Sequence, residues 1–433
     1  MRKIAFCSPF SPVKSGISDF SEELVSELKK HVDIDLMYDT PIENPKTAES
    51  FNYFDIGNLD DADFRRRYDL IVYQMGNNYD IHKCIGDALM KYPGILELHD
   101  LSLHHYIASE LIVTGRIEEY IDVIRYCHGE KGVDIIYDYL NGDAGAPWEN
   151  HVLDLSVNKH FIDRATGVIV HSDMAKQTVK AIRPDVPVIN IPLHVTDIIP
   201  NSQELKREAK RKLSIPEDCY LFGAFGFATK TKRIYQTLEA LTKYKDHDFR
   251  YVVVGQAIEL DIAKEARRLG IADKVIVTGY TSLEDYKLYM QACDVCINLR
   301  YPTNGESSAN LQRILGMGIP AIVTDVGSFM EYPDSCVVKV SYGEKETEDI
   351  LNALKMLTSS KEVYEQYSKN ASEFITENAS IDKNCKIYKK FFEDVINGTF
   401  VEQDEIDRVL DRAYENGFTD EEYLKELVKR AIE

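Results

Sequence analysis

Apolar residues follow two alternating patterns along most of the chain, short β-branched or aromatic runs and longer stretches with helical spacing. Short apolar runs bounded by turn residues are typical of buried strands, and helices between them indicate parallel sheets flanked by helices. Each half contains six such runs, so the sequence predicts two doubly wound, Rossmann-like α/β domains in tandem. The predicted strands are Lys3 to Cys7, Ile34 to Tyr38, Leu70 to Gln74, Gly94 to Leu98, Gly167 to His171, Val188 to Ile191, Leu221 to Phe225, Arg250 to Val254, Lys274 to Thr278, Val295 to Leu299, Ala321 to Thr324 and Val337 to Val340.

Other segments depart from this alternation. Residues 101 to 163 carry helical periodicity without a strand pattern, which predicts a helical insertion in the first domain. Residues 196 to 218 are polar and include the charge run Lys206 to Lys212, which predicts a connector with a short exposed helix. The expected organisation is an N-terminal domain at 1–195, a connector at 196–218, a C-terminal domain at 219–380, a helix at 381–398 crossing back to the N-terminal domain, and an acidic helical tail at 399–433.

Composition narrows the range of partners. The chain has 433 residues, of which 44% are hydrophobic and 28% charged, so it can bury a large core. Its formal net charge of -21 argues against nucleic acid, because phosphate contacts dominate binding to that partner. There is no run of about 18 apolar residues, and Met1 to Phe10 turns polar too early for a secretory signal. We expect a cytoplasmic protein, with peripheral attachment at the inner membrane face as the alternative.

Neither cysteines nor acidic pairs indicate a bound metal. The eight cysteines are sparse and mostly embedded in apolar runs, which favours reduced, buried thiols over a disulfide framework. Cys293 and Cys296 form a CxxC without a second ligand pair at metal spacing, so we expect them to pack in the core. The DxD-like segments at 33–35 and 61–63 are interpreted as solvated acids. The sequence therefore predicts no metal site and no cofactor.

The segment from Asp294 to Asp325 reads as strand, loop, helix, turn and strand, with Glu306 at the end of the loop. The N–H groups of Ser307, Ser308 and Ala309 would then be free donors at the start of the helix. Such donors suit a diphosphate, and a carboxylate beside them suits the neutral hydroxyls of a sugar. The alternative is that Glu306 only caps its helix.

A cluster of cations follows the strand predicted at Leu221 to Phe225. Gly226 forms a turn, and then Lys230, Lys232 and Arg233 stand where the next helix begins. Cations in the first turn of a helix oppose its macrodipole, so such a cluster usually needs an anion beside it. A solvated basic patch is the alternative.

In the first half, His99 and Asp100 directly follow a predicted strand. Ligands of open α/β sheets usually bind beyond the carboxyl ends of the strands, so we expect both residues to face a cleft between the two halves. A neutral His99 could donate to a sugar hydroxyl or support developing charge. The alternative is a structural histidine.

The order and spacing of these segments resemble the retaining, nucleotide-sugar-dependent glycosyltransferases of family four, which have the GT-B fold. The resemblance covers residues 1 to 398. It implies that Gly16 approaches the donor phosphate, His99 the transferred sugar and Lys232 the diphosphate. It also implies that the backbone near Tyr280 meets the base and that Glu306 meets the sugar hydroxyls. The matching segments are Pro12 to Phe20, Leu98 to Asp100, Gly167 to Ser172, Phe225 to Arg233, Gly279-Tyr280, Arg300 to Ser308 and Gly318 to Pro320.

The resemblance, together with the motifs, gives a set of candidate site residues. The predicted catalytic residues are Glu306, His99 and Lys232, and the predicted donor-binding residues are Gly16, Gly226, Lys230, Arg233, Tyr280, Arg300, Ser307, Ser308 and Ala309. The chain departs from the family pattern at two places. The family commonly has Arg one residue after the glycine of the turn, where this chain has Phe227, although Lys230 or Arg233 could substitute. The second acid that commonly contacts ribose aligns with Ile314 or Arg313, so neither alignment supplies a carboxylate.

These observations predict a retaining glycosyltransferase that moves a hexosyl group from a nucleotide diphosphate sugar to an acceptor. The resemblance implies metal-independent, front-face displacement, in which the donor phosphate takes the acceptor proton. Two alternatives stay open: a sugar-nucleotide epimerase of the same fold, and a non-catalytic glycosyltransferase-like subunit that stabilises a partner. A glycan, a lipid-linked glycan or a protein could be the acceptor, and the acidic tail could support a homo-oligomer or a partner subunit.

Overall fold

The computed structural model describes residues 1–196 and 202–402, which divide into two compact units. Unit 1 comprises Met1–Ile191 and the described residues from Asp382 onward, and unit 2 comprises Pro192–Ile381. The tail predicted at 399–433 lies outside the described residues from position 403. Within the described ranges, no helix combines the length and the apolar character needed to cross a membrane.

Unit 1 is built around one parallel sheet. Its strands are β1 (Lys3–Cys7), β2 (Asp33–Tyr38), β3 (Asn52–Asp55), β4 (Leu70–Met75), β5 (Ile95–Leu98), β6 (Gly167–Val170) and β7 (Val188–Asn190). Its helices up to β7 are α1 (Gly16–Leu28), α2 (Pro45–Ser50), α3 (Ala62–Arg65), α4 (Tyr79–Lys91), α5 (His104–Leu111), α6 (Ile117–Asn141), α7 (Pro147–Asn150), α8 (Lys159–Ile162) and α9 (Asp173–Ile182), with a 3-10 helix at Ile56–Asp60. The strand order is β3-β2-β1-β4-β5-β6-β7, so the crossovers run outward from β1 in both directions.

The six runs predicted as strands in the first half all form strands, and the sheet adds β3, which the sequence analysis missed. β3 lies at the edge of the sheet and pairs only with β2. None of its residues is fully buried, so β3 lacks the continuous apolar run that identifies a central strand. Between β5 and β6 the chain forms α5 to α8 and no strand, where the sequence predicts the helical insertion.

Unit 2 contains a second parallel sheet. Its strands are β8 (Tyr220–Phe225), β9 (Phe249–Val254), β10 (Val275–Gly279), β11 (Val295–Asn298), β12 (Ala321–Thr324) and β13 (Val337–Val340). Its helices are α10 (Gln203–Lys212), α11 (Ile234–Lys243), α12 (Ile262–Arg268), α13 (Leu283–Ala292), α14 (Ala309–Gly316), α15 (Glu346–Ser359) and α16 (Lys361–Asn378), with 3-10 helices at Lys230–Lys232, Ala272–Lys274 and Gly327–Glu331. The strand order is β10-β9-β8-β11-β12-β13, and the six predicted strands are confirmed. The last described helix, α17 (Ile381–Asn397), belongs to unit 1 from Asp382 onward.

The charge run at 206–212 is not the exposed connector helix that its composition predicts. It forms most of α10, in which Lys206 and Lys210 are only 2% and 3% exposed. Their ammonium groups lie 2.9 and 2.8 Å from the two carboxylate oxygens of Asp294, a buried residue just before β11. Burial acts to raise the pKa of Asp294, but the two lysines outweigh it and hold that pKa below its usual value. The pairing with Asp294 therefore allows α10 to pack within unit 2 with two of its lysines buried.

The structure contradicts the expectation for the acidic segment at 33–35 and confirms the one for the CxxC. Asp35 of the 33–35 segment is completely buried rather than solvated, and it accepts hydrogen bonds from Asn52 and Tyr68 and pairs with Lys3 at 3.1 Å. A strand between β1 and β3 leaves no solvent for its inward side chains, so the carboxylate must be paired within the protein. The CxxC expectation is confirmed, because both thiols at 293 and 296 are free and buried in the core of unit 2.

Candidate functional site

In unit 2, the loops that follow β8 and β11 lie side by side, because these parallel strands are neighbours in the sheet. Gly226 directly follows β8 with a φ of +88°. A Cβ on Gly226 would lie 2.7 Å from Lys232 Nζ and 3.1 Å from Asn310 Nδ2. Glycine is therefore needed here both for the left-handed backbone and for the close approach of these two side chains.

Lys232 ends a short 3-10 helix, and its ammonium group donates to the carbonyl oxygen of Phe225 at the end of β8. Burial, assisted by the nearby positive charge of Arg300, lowers the pKa of Lys232 well below its usual value, although Cys296 and Glu306 act in the opposite direction. A bound anion would stabilise the ammonium form. The surroundings of Lys232 therefore suit a ligand that brings negative charge.

The Glu306 carboxylate is held by its own loop. Its Oε1 lies 2.8 Å from Arg300 Nε, and both side chains are less than one-fifth exposed, at 18% for Arg300 and 16% for Glu306. Its Oε2 accepts hydrogen bonds from Thr303 Oγ1 at 2.8 Å and from the N–H of Asn304 at 2.7 Å. The Ser328 hydroxyl donates to the Glu306 carbonyl oxygen at 2.6 Å. These contacts fix the orientation of the carboxylate before any substrate arrives.

The helix after Glu306 begins later than the sequence suggests. Its N-cap is Ser308, whose hydroxyl accepts from the N–H of Leu311 at 3.2 Å, and the first helical residue is Ala309. The helix therefore begins later than expected, and of the three predicted donors only Ser307 precedes the N-cap. The role of Ser307, Ser308 and Ala309 in binding a diphosphate stays a prediction. The four N–H groups without an intrahelical acceptor are those of Ser308, Ala309, Asn310 and Leu311. The reading of Glu306 as the helix cap is also wrong, because a hydroxyl two residues later performs that role.

The other predicted donor-binding residues of unit 2 lie around this cluster. Arg233 has a left-handed backbone, and its guanidinium Nε and Nη2 contact the buried carboxylate of Glu346 at 2.9 and 2.5 Å. Lys230 is exposed on the same turn. Tyr280 follows β10 and is 64% exposed. The structure thus joins Gly226, Lys232, Arg300 and Glu306, while Arg233 is matched by a carboxylate of this chain.

In unit 1, His99 belongs to a chain of hydrogen bonds. Its Nε2 lies 2.7 Å from Gln74 Oε1, and Gln74 Nε2 donates to Glu97 Oε2 at 2.6 Å. The other carboxylate oxygen, Glu97 Oε1, accepts a hydrogen bond from the hydroxyl of Tyr388 on α17. Burial raises the pKa of Glu97 to about 7, and the hydrogen bonds from Tyr388 and Gln74 partly oppose that rise.

His171 lies beside this network at the end of β6. Its Nδ1 is 2.8 Å from the carbonyl oxygen of Ile191, and its Nε2 is 3.6 Å from Glu97 Oε1. The His99 and His171 rings are 4.9 Å apart, and the ring of Phe20 on α1 contacts both edge-on. Sequence reasoning missed Gln74, Glu97, His171 and Tyr388. The available signal was a polar residue within or just after an apolar strand run, where burial demands a partner.

The same cluster has donor types that a divalent cation could use. Glu97, His99 and His171 each offer one ligand atom within 4.8 Å of the others, and no other such group is found among the described residues. However, both Glu97 oxygens already accept hydrogen bonds, and one His99 nitrogen is held by Gln74. The contacts therefore favour a hydrogen-bonded network over a metal centre.

The predicted phosphate-facing glycine opens α1. Gly16 is the first residue of that helix, and the Ser15 hydroxyl accepts from the N–H of Ile17 at 3.2 Å. A Cβ on Gly16 would meet no described atom within 4 Å, so packing alone does not require glycine there. A Cβ on Gly76, in contrast, would lie 2.6 Å from Ile17 Cδ1 and 3.3 Å from Asp100 Oδ2. The start of α1, the turn after β4 and Asp100 therefore lie together.

Comparisons with known proteins agree with this architecture. Residues 206–374, within unit 2, match the family model described as glycosyl transferases group 1. An uncharacterised glycosyltransferase of Methanocaldococcus jannaschii is 26% identical over 223 residues, which are 49% of this chain and 54% of that protein. The chain thus spans about half the length of this curated relative.

Solved structures extend the likeness over both units. Anabaena HepE, crystallised with UDP and glucose, has a TM-score of 0.65 at 14% identity and covers 91% of this chain and 100% of its own. Sucrose-phosphate synthase from Thermosynechococcus elongatus has a TM-score of 0.64 at 16% identity, covering 92% of this chain and 100% of its own. At such identities the likeness establishes the fold. The chain has the GT-B fold, and its residues 206–374 are similar to the group 1 glycosyltransferases.

Proposed function

We propose that the protein is a retaining glycosyltransferase that moves a hexosyl group from a nucleotide diphosphate sugar to a glycan, lipid-linked glycan or protein. The observation that carries the proposal is the cluster of Gly226, Lys232, Arg300 and Glu306 at the carboxyl edge of the unit 2 sheet. This cluster lies within the residues that match the family. HepE, which shares the fold, binds UDP and UDP-glucose, so uridine is the first base to test.

Breaking the bond between the anomeric carbon and phosphate builds negative charge on the departing diphosphate. Preorganised donors aimed at that charge are worth roughly 3 to 4 kcal/mol each. Lys232 is one such donor, since an anion would favour its charged form. The N–H groups of Ala309 and Asn310 are the others, because both lie in the first turn of α14 and the helix macrodipole favours an anion there. Asn310 Nδ2 lies close to Gly226, which links the two elements.

Glu306 has a different role in this proposal. A carboxylate beside a diphosphate would repel it, whereas a sugar hydroxyl can donate to a carboxylate. Arg300 and two donors of the loop already orient Glu306, so little reorganisation accompanies sugar binding. The proposal assigns recognition of the sugar hydroxyls to Glu306, and the contact of His99 with the transferred sugar stays a prediction from the resemblance.

The proposed chemistry needs neither a protein nucleophile nor a metal. The acceptor hydroxyl attacks the anomeric carbon on the face that the diphosphate leaves, and a donor phosphate oxygen takes the acceptor proton. The carbon–oxygen bond to the acceptor forms as the bond to phosphate breaks. The protein would hold the two substrates in position and stabilise the leaving charge.

The direct test is incubation of the full chain with a panel of nucleotide sugars, with release of nucleoside diphosphate as the readout. The proposal expects release with one sugar, slow with water alone and faster when the acceptor is present. An isomerised donor with no diphosphate release would instead support the epimerase. If calorimetry detects no binding of any nucleoside diphosphate, the proposal is wrong and the non-catalytic subunit is supported.

A further inference from the structure

Two tyrosine rings stack on each other at the carboxyl edge of the unit 2 sheet. Tyr301 lies in the loop after β11, and Tyr342 lies just after β13, the strand at the edge of that sheet. Their ring centres are 3.9 Å apart and their planes are inclined by 15°, so the rings lie face to face. Tyr301 covers one face of Tyr342, yet Tyr342 is 46% exposed. The other face of the Tyr342 ring is therefore its open side.

Hydrogen bonds fix the backbone at both members of the stack. The N–H of Tyr301 donates to the carbonyl oxygen of Thr231, in the turn after β8, at 2.8 Å. The N–H and the hydroxyl of Ser341, just before Tyr342, donate to the carboxylate of Asp349 on α15. A ring that is already stacked and anchored loses little side-chain freedom when a ligand packs on it. The stack is therefore a preformed surface for a flat ligand face.

The stack lies next to the residue that the proposed function assigns to the sugar. Tyr301 and Glu306 belong to the same loop, between β11 and α14. The sheet order is β10-β9-β8-β11-β12-β13. The resemblance puts the base near Tyr280, after β10, and the proposed function puts the diphosphate at Lys232, after β8, and the sugar at Glu306. Tyr342, after β13, lies further along the same edge, at the sugar end of the donor and away from the base.

We propose that Tyr342, backed by Tyr301, forms an acceptor subsite that binds a pyranose ring. This inference rests on the proposed function, and it narrows the acceptor to a molecule that presents a sugar, either a glycan or a lipid-linked glycan. A pyranose has C–H groups on one face and hydroxyls around its rim, so it can pack on an aromatic ring while its hydroxyls stay hydrated. The phenolic hydroxyl of Tyr342 adds a group that can donate or accept a hydrogen bond.

Sugar binding can be measured without turnover. Saturation-transfer NMR is recorded on the full chain with three probes, methyl β-D-glucopyranoside, methyl β-D-galactopyranoside and methyl α-D-mannopyranoside. We expect at least one glycoside to receive saturation, most strongly at the C–H protons of one ring face, and to lose it in Tyr342→Ala. No transfer to any of the three, or equal transfer in the wild type and Tyr342→Ala, would overturn the proposal.

Other variants separate the ring from the fold. Tyr342→Phe keeps the aromatic ring and should retain most of the glycoside signal. Tyr342→Leu keeps an apolar cover on Tyr301 but removes the aromatic ring, so it should lose the signal even where Tyr342→Ala does not fold, as judged by circular dichroism. A Tyr342→Leu variant that binds the glycoside as the wild type does would contradict stacking.

The matched control is Tyr137→Ala. Tyr137 lies on α6 of unit 1 and is 47% exposed, so it offers the solvent a similar tyrosine surface. This variant should leave the glycoside signal unchanged. A similar loss in Tyr137→Ala and Tyr342→Ala would mean that sugars associate with any exposed tyrosine, and it would refute a subsite at Tyr342.

Uridine as a second probe tests whether the stack binds a base instead. Saturation of the uracil protons should be the same in the wild type and in Tyr342→Ala, because the base is expected at the other end of the sheet. Loss of the uridine signal in Tyr342→Ala would overturn the proposal in favour of a base site.

Kinetics keep this proposal apart from the proposed function. With a glycan acceptor, Tyr342→Ala should raise the acceptor KM by about threefold to tenfold and leave the donor KM unchanged. If the wild type releases no nucleoside diphosphate from any donor, the proposed function fails, and the glycoside NMR still decides whether Tyr342 binds a sugar. If turnover occurs but acceptor KM and glycoside binding do not depend on Tyr342, the subsite fails and the transferase stands.

Discussion

The candidate site residues of the two units differ in the elements that carry them and in the contacts that hold them. In unit 2, Lys232, Arg300 and Glu306 lie on loops and bring opposite charges together. In unit 1, Gln74 and Glu97 lie within strands, and their hydrogen bonds are satisfied among themselves and with Tyr388. The difference indicates different tasks. The unit 2 cluster suits the binding of an anion, because an anion would stabilise the charged form of Lys232. In unit 1, the hydrogen bonds of Gln74 and Glu97 go to other side chains of the same unit.

Removal of Glu306 should have the largest effect. We expect Glu306→Ala to reduce turnover by at least about a hundredfold, because the preorganised carboxylate is lost and Arg300 is left unpaired. The matched control Glu306→Gln keeps the shape and an acceptor oxygen but loses the charge. Its turnover should lie between those of the wild type and Glu306→Ala. Initial rates of diphosphate release measure the effect. Full activity in both variants would remove Glu306 from the site.

The next largest effect is expected at Lys232. Lys232→Ala should weaken binding of a nucleoside diphosphate by about tenfold to a hundredfold, as expected for loss of a charge-assisted hydrogen bond, and leave nucleoside binding unchanged. Lys264→Ala, which removes an exposed cation from α12 of the same unit, is the control and should change little. If the two variants are equally impaired, the contrast between buried and exposed lysine is wrong.

Binding should also take up a proton at Lys232. Burial and Arg300 lower the pKa of Lys232 in the free protein, and the neighbouring Glu306 and Cys296 oppose them only in part. A diphosphate would raise that pKa, so affinity should fall as pH rises, and the calorimetric enthalpy should depend on the ionisation enthalpy of the buffer. Lys232→Ala should lose this buffer dependence. A wild type without it would contradict the lowered pKa.

In unit 1, the ionisation of Glu97 should set a pH dependence of stability. Its pKa is raised from 4.5 to about 7, so the native state keeps a proton that the unfolded chain has released. The contribution of Glu97 to stability should therefore be greatest below pH 4.5 and fall by roughly 3 kcal/mol as pH rises through 7. His99, His171 and Tyr388 are further titratable side chains that face Glu97.

The fluorescence of Trp148 allows the pH dependence of the stability of unit 1 to be measured. This residue is the one tryptophan of the sequence and lies in α7, so its fluorescence reports the unfolding of unit 1 by urea. Glu97→Gln removes the carboxyl group, and we expect the loss of stability between pH 5 and pH 8 to shrink. An identical pH profile in the variant would exclude Glu97 as its source.

The smallest effect on ligand binding is expected at Arg233. Its guanidinium is matched by the buried Glu346, so Arg233→Ala should change diphosphate affinity by less than about threefold. Its main cost should be stability, about 2 kcal/mol, because Glu346 is left buried without a counter-charge. Adding Glu346→Gln should recover part of that loss. A large loss of affinity in Arg233→Ala alone would mean that Arg233 leaves Glu346 to bind phosphate.

Sequence predicts the sheets well because central parallel strands are continuous apolar runs. It fails at β3, an edge strand with exposed residues. It also fails at α10, where two lysines are buried because they pair with Asp294, a residue far away in the sequence. Local patterns do not contain such distant partners.

The same limit applies to the candidate site. The loop residues Lys232 and Glu306 can be found from local motifs, since glycine turns and helix starts are visible in the sequence. In the sequence, Gln74 and Glu97 are polar residues within apolar strand runs. Only the fold shows that they form hydrogen bonds with His99, Tyr388 and each other. The start of α14 was misplaced because Ser307 and Ser308 are both plausible caps by composition, and the backbone decides between them.

A crystal structure of the full chain with a bound nucleoside diphosphate tests the central claim most directly. The account predicts phosphate oxygens within hydrogen-bond distance of Lys232 Nζ and of the N–H groups of Ala309 and Asn310, with Lys232 released from the Phe225 carbonyl. Phosphates bound elsewhere, with Lys232 still donating to Phe225, would contradict it.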